Sequence, residues 1–155
     1  MKKKVYSKIQ FAIDKGVLCK DLCNIVVPPS ELDIENYLSF HSISLSSPHC
    51  DLLLEWGGSN LDEIRILSLE YIEVRDSKVV FANNYNGFSF SYDSIGRVYS
   101  EDHDGGESEF LSSSVDEFIN EFVFGEKGKD FYGEDWVQEL KNNGIALQAV
   151  EKWTA

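Results

Sequence analysis

Positive charge is scarce in this chain. Its 155 residues hold 14 Lys and Arg against 27 Asp and Glu, a net charge of −13 with histidine neutral. Such a polyanion repels phosphate backbones and anionic lipid headgroups, so no nucleic acid and no membrane is expected as a partner and a cationic surface is favoured. Cysteine occurs only three times, and an odd count does not fit a secreted domain that pairs all its thiols. Long apolar runs are missing too. No window approaches the roughly 18 apolar residues of a membrane span. Lys8, Gln10, Asp14 and Lys15 break the stretch behind Met1-Lys2-Lys3-Lys4, and Leu18 before Cys19 is too large for a lipoprotein cleavage site, so no export signal is expected. These absences make the cytoplasm the expected location.

The rest of the composition, 43% hydrophobic and 26% charged, is that of an ordinary globular chain. No repeat, linker or low-complexity tract divides it, so residues 1–155 are read as one domain. Charge is unevenly placed. Residues 1–20 carry six lysines against Asp14 alone, a net of +5, whereas residues 21–125 carry twenty acids against Arg65, Arg75, Lys78 and Arg97, a net of −16.

Periodicity changes twice along the chain. Val5, Ile9, Ala12 and Ile13 recur at helical spacing, with Gly16 to close the helix. Behind Pro28-Pro29, Ser30 caps a second helix whose apolar face runs through Ile34, Tyr37, Leu38 and a packed His41. Ser47-Pro48 reads as an N-cap with proline in the first turn, opening a short helix that Trp56-Gly57-Gly58 stops. From Ile64 onward branched and alternating apolar residues take over, including Val79-Val80-Phe81 and Phe88, Phe90 and Tyr92, with Asn86-Gly87 suited to a two-residue hairpin turn and Ser94-Ile95-Gly96 to another turn. Helix returns at Ser114, where Glu117 three residues later completes a capping box ahead of Phe118, Ile119 and Phe122, and Gly125 ends it. A last helix over about 134–142 carries Trp136, Val137 and Leu140, closed by Gly144. Helices, then strands, then helices spell an α+β domain: a meandering, mostly antiparallel sheet flanked by N-terminal and C-terminal helices.

Catalytic signatures are sparse. Phosphate loops, the G-x-S-x-G elbow and H-E-x-x-H do not occur, and Cys19, Cys23, Cys50, His41 and His49 match no zinc spacing, so the thiols are read as small buried side chains. The densest polar run is Glu101-Asp102-His103-Asp104-Gly105-Gly106-Glu107-Ser108-Glu109, which contains no lysine or arginine. It is read as a solvated loop between strand and helix, as a metal or acid-base site built on His103, or as part of a negative docking face.

The order of these pieces resembles the SUKH superfamily of Smi/Knr-like proteins. The matching residues are the acidic helix with Glu31, Asp33 and Glu35, then Ser47-Pro48, Leu53-Leu54, Trp56, Gly57-Gly58, Gly96-Arg97-Val98-Tyr99 and Ser114-Val115-Asp116-Glu117-Phe118-Ile119, spanning about Ser30 to Phe124. Ser47 stands where the family usually has leucine, and Trp56 where it has asparagine. The resemblance implies a cytosolic immunity protein of a bacterial polymorphic toxin system that binds its cognate toxin without catalysis and without a cofactor, or else a Smi/Knr-like regulatory module with a non-toxin partner. Pro48, Trp56, Gly57, Gly58 and Gly96 would then be framework residues. Many such toxins are nucleases with basic clefts, which makes Glu101, Asp102, Asp104, Glu107 and Glu109 the expected partner-binding residues, with Tyr85, Tyr99 and Tyr132 as candidate aromatic anchors.

Overall fold

A computed structural model describes residues 6–19, 21 and 27–145. Val5 and Cys23 lie outside the described residues. Helix α1 (Ser7–Asp14) buries Ile9 and Ala12, and Gly16 follows it at φ +76°. Helix α2 (Glu31–His41) starts at a complete capping box in which Ser30 Oγ accepts from the Asp33 amide at 3.1 Å and Asp33 Oδ2 accepts from the Ser30 amide at 3.0 Å. Of its expected apolar face, Ile34 is buried and Tyr37 and Leu38 are half-buried. His41 is exposed rather than packed: it ends the helix and lies against the Tyr37 ring at 4.2 Å. Helix α3 (Ser47–Glu55) has Ser46 at its N-cap position, one residue earlier than the sequence suggests and with no capping hydrogen bond from its side chain, which leaves Pro48 within the first turn. Trp56 closes it, with Gly57 beyond at φ +67°.

The strands are β1 (Ser59–Leu61), β2 (Ile64–Ile66), β3 (Glu73–Arg75), β4 (Lys78–Asn84), β5 (Phe88–Tyr92), β6 (Val98–Asp102) and β7 (Glu109–Ser112). They form one antiparallel sheet in the order β1-β2-β4-β5-β6-β7, with β3 pairing the other half of β4. A one-turn 3-10 helix at Leu69–Tyr71 carries the chain from β2 to β3. The turn at Asn86-Gly87 has three residues, not two. Only Gly87 takes a positive φ, whereas a type I′ turn needs two such residues, and Asn84 Oδ1 holds the loop by accepting from the Asn86 and Phe88 amides at 3.0 Å each.

Beyond the sheet come α4 (Val115–Glu117), α5 (Lys129–Tyr132) and α6 (Glu134–Asn142). Ser114 Oγ accepts from the Glu117 amide at 3.3 Å, which is one arm of the expected box. The chain then widens into a π-helix over Phe118–Val123 instead of continuing as α. Its buried residues, Phe118, Ile119, Asn120, Phe122 and Val123, occupy more of the circumference than one α-helical stripe would. Gly125 and Gly128 let the following chain close over it, because a Cβ would stand 2.3 Å from Glu121 O and 1.9 Å from Phe122 O respectively.

The core lies between the sheet and these helices. Phe81, Phe90 and Phe122 each meet the Phe118 ring, and Phe122 meets Phe131, at centroid distances of 5.2–5.6 Å. Each fully buried ring contributes about 1.5–3 kcal/mol of transfer free energy before the loss of side-chain entropy. Trp136 seals one end and donates from Nε1 to Val123 O at 2.8 Å. Side chains alternate across a strand, so Ser89 faces away from the ring cluster that Phe90 joins, and the register Arg65, Asn83, Ser89, Glu101 draws a polar row over the other face. No helix among the described residues is long and apolar enough to cross a membrane.

Candidate docking site

The acidic run is a β-hairpin tip. Val98 and Tyr99 are held in register with β5, so β6 continues to Asp102; the chain then reverses through Asp104, Gly105 and Gly106, and Glu109 pairs back with Ser100. The reversal is built locally. Asp102 Oδ1 accepts from the Asp104 amide at 3.0 Å and Asp102 O from the Gly105 amide at 3.1 Å, while Gly105 and Gly106 supply the two left-handed backbones at φ +94° and +105°. Upstream, Asp93 fixes the start of β6. Its Oδ1 accepts from the amides of Ile95, Gly96 and Arg97 at 3.0 Å, and its Oδ2 from Arg97 Nε at 2.8 Å. Burial pushes that carboxyl up, but the hydrogen bonds from Arg97 and Ile95 hold it below the usual carboxylate range. Gly96, at φ +101°, belongs to this turn.

The five acids are brought together at the hairpin, with different surroundings. Asp102, Asp104, Glu107 and Glu109 are exposed, whereas Glu101 is half-buried and pairs with Lys78 Nζ at 3.4 Å. Among the described residues no lysine or arginine pairs with the other four. His103 is enclosed by oxygen: Nδ1 lies 3.1 Å from Gly87 O and Nε2 3.0 Å from Asp104 Oδ1. Asp102, His103 and Asp104 place one ligand atom each within 4.8 Å of one another. The two ring nitrogens thus face a backbone carbonyl and a carboxylate oxygen, both acceptors.

Comparison with protein-family models, curated proteins and solved structures found no match. The site therefore rests on its own geometry. Two of its members were not legible in the sequence. Lys78 lies 4.4 Å over the Tyr99 ring while reaching Glu101, and Phe110 packs edge-on against Tyr99 at 5.9 Å yet stays 54% exposed. Phe110 is a large apolar ring held by a neighbour and open to solvent on the return strand of the hairpin that carries the acids. The acid-phenylalanine-leucine sequence of β7 was the available signal. Tyr85 is exposed, as an anchor must be. Tyr132 is committed to the fold instead, donating to Leu61 O at 2.5 Å and stacking on Trp136 at 4.7 Å.

The other framework residues lie elsewhere. Pro48 O accepts from Tyr6 Oη, Trp56 is buried in the core, and Gly58 has Ser68 so close that a Cβ would stand 2.7 Å from Ser68 Cβ. Cys19 is exposed, which corrects its reading as a buried thiol, and Cys50 is half-buried.

Proposed function

We propose that this chain is a SUKH-like immunity protein that binds and neutralises a cognate toxin through its acidic hairpin, without catalysis. The observation that carries the reading is the hairpin that bears Asp102, Asp104, Glu107 and Glu109, none of them paired with a lysine or arginine among the described residues, and the exposed ring of Phe110 on its return strand. A net charge of −13 draws a basic protein toward such a face and disfavours nucleic acid at it. Phe110 then supplies desolvated contact area, and the carboxylates supply orientation and association rate. A basic nuclease cleft is the kind of surface these two features fit.

Co-expression with a toxin encoded beside it tests this directly: growth should be rescued. Replacing Glu101, Asp102, Asp104, Glu107 and Glu109 with their amides should slow association about tenfold or more at low salt and flatten its salt dependence. Phe110→Ala should act mainly on dissociation. A five-amide variant whose association keeps the original salt dependence removes the hairpin from the mechanism, and capture of one non-toxin cellular protein would favour a regulatory module instead.

A further inference from the structure

The face of the sheet turned away from the core gathers opposite charges in an ordered way. Strand register sets Arg65, Asn83, Ser89 and Glu101 in one row across β2, β4, β5 and β6. The next row on the same face is Glu73, Val80, Ser91, Tyr99 and Phe110, across β3 to β7. Arg75 and Lys78 stand opposite each other beyond it, and Lys78 reaches over the Tyr99 ring. Arg65, Arg75 and Lys78 thus face Glu73 and Glu101, five charges that nearly cancel in a chain whose net charge is −13.

These rows are self-complementary. Arg65 and Glu101 end the first row at equal distances from the boundary between β4 and β5, about 7 Å to either side. A second copy laid face to face about a two-fold axis along that boundary, parallel to the strands, sets Arg65 opposite the partner's Glu101 and Asn83 opposite the partner's Ser89, each pair twice. Arg65 has no carboxylate at ion-pair distance among the described residues, and Glu101 has only Lys78 at 3.4 Å. The Arg65 guanidinium already lies 5.3 Å from the Tyr85 ring centroid, and Asn60 Nδ2 holds Tyr85 Oη at 3.0 Å, so the arginine is pre-positioned. Shape follows the same symmetry. The detour from β2 through the 3-10 turn to β3 walls a concavity of about 560 Å³ beside Val80, with the exposed Tyr71 on its rim, while the exposed Phe110 ring stands at the opposite edge of the face. The two-fold carries Phe110 of each copy to the Tyr71 side of the other.

We propose that this face binds a second copy of the chain in an isologous dimer held by two Arg65–Glu101 pairs and two Phe110–Tyr71 contacts. Charge selects the occupant. A basic partner is drawn to the unpaired acids of the hairpin tip and an acidic one is repelled by the molecule as a whole, whereas a copy meets opposite charge at both ends of the row. Six strands side by side make a face about 24 Å wide, so the interface lies at the small end of specific ones and a dissociation constant of about 10–100 µM is expected. The dimer does not depend on the toxin reading. One consequence does: because Phe110 is also the anchor proposed for the toxin, dimer and toxin complex exclude each other.

Analytical ultracentrifugation of the full chain from about 2 to about 500 µM at physiological salt should show a monomer–dimer equilibrium. Arg65→Glu and Glu101→Arg should each weaken it about tenfold or more, because each sets like charges opposite one another twice. The variant carrying both substitutions should return to within about threefold of wild type, a reciprocal rescue that damage to the fold of one copy cannot produce. Phe110→Ser should weaken the dimer several-fold. A monomer throughout that range, assembly beyond a dimer, single variants that associate like wild type, or a double variant as weak as the singles overturns the proposal. If Glu101→Arg does not fold, wild-type amide shifts compared at about 20 and about 500 µM decide the matter: movements centred on Arg65, Asn83, Ser89 and Glu101 support this face, and movements centred on the free edge of β7 or elsewhere overturn it.

Discussion

Acidification should destabilise this protein well above the range in which carboxylates titrate, and the cause is one residue. His49 sits in the first turns of α3 with no exposed surface, between the rings of Phe81 and Tyr92. Its Nδ1 lies 2.8 Å from Tyr92 Oη, whose oxygen also accepts from the Ser46 amide at 3.1 Å, and its Nε2 has no partner. Burial lowers the imidazole from 6.5 to about 3 and pushes the Tyr92 phenol up to about 12. The unfolded chain therefore takes up a proton near pH 6.5 that the folded chain refuses until about pH 3. Stability is independent of this group above the unfolded value and falls as pH drops between the two. Going from about pH 7 to about pH 5, the proton bound only by the unfolded state costs about 2 kcal/mol. Urea unfolding at those two pH values measures it. His49→Gln, which keeps a polar group facing Tyr92, should lose much less over the same interval. The relief of negative self-repulsion on acidification acts in the other direction in both proteins and cancels in the comparison. Equal losses in wild type and variant would refute the reasoning.

Asp93→Ala should cost about 1–2 kcal/mol at neutral pH, since it removes the acceptor for three amides and Arg97. Because the folded carboxyl is held below its ordinary 3.8, that contribution is complete above this value and disappears as pH falls through the folded pKa; wild type and variant should converge there in chemical denaturation. Gly128→Ala should cost about 1–3 kcal/mol by overpacking, read as a lower melting temperature, because the new Cβ is driven into Phe122 O.

Where local chemistry decides the structure, the sequence is a sufficient guide. The cap at Ser30, the stop at Gly57 and the alternation of Phe88, Phe90 and Tyr92 follow from side chains within a few residues of one another, whereas the acidic run, read as a loop leading from strand to helix, is the tip of a hairpin whose return strand β7 was not foreseen. The errors fall where distant segments decide. Val115, Phe118, Ile119 and Phe122 satisfy an α-helical stripe, but the wider π turn is set with Gly125 and Gly128 closed against its carbonyls. His41 continues an apolar pattern whose final turn nothing covers, and Tyr132 finds its acceptor 71 residues upstream. The acidic run could be picked out by its charge alone, whereas Phe110 could not, because its exposure depends on where β7 ends up as an edge strand.

Helix α1 is attached by long tethers: Tyr6 donates to Pro48 O, and Lys8 Nζ to Asn120 O at 3.0 Å, across 112 residues of sequence. Most of the sheet, by contrast, pairs neighbouring strands through hairpins. During synthesis helix α1 thus emerges more than a hundred residues ahead of part of its seat, while the strands can zip together as they emerge. Until translation passes Asn120, helix α1 and its Lys8 remain available to chaperones and proteases.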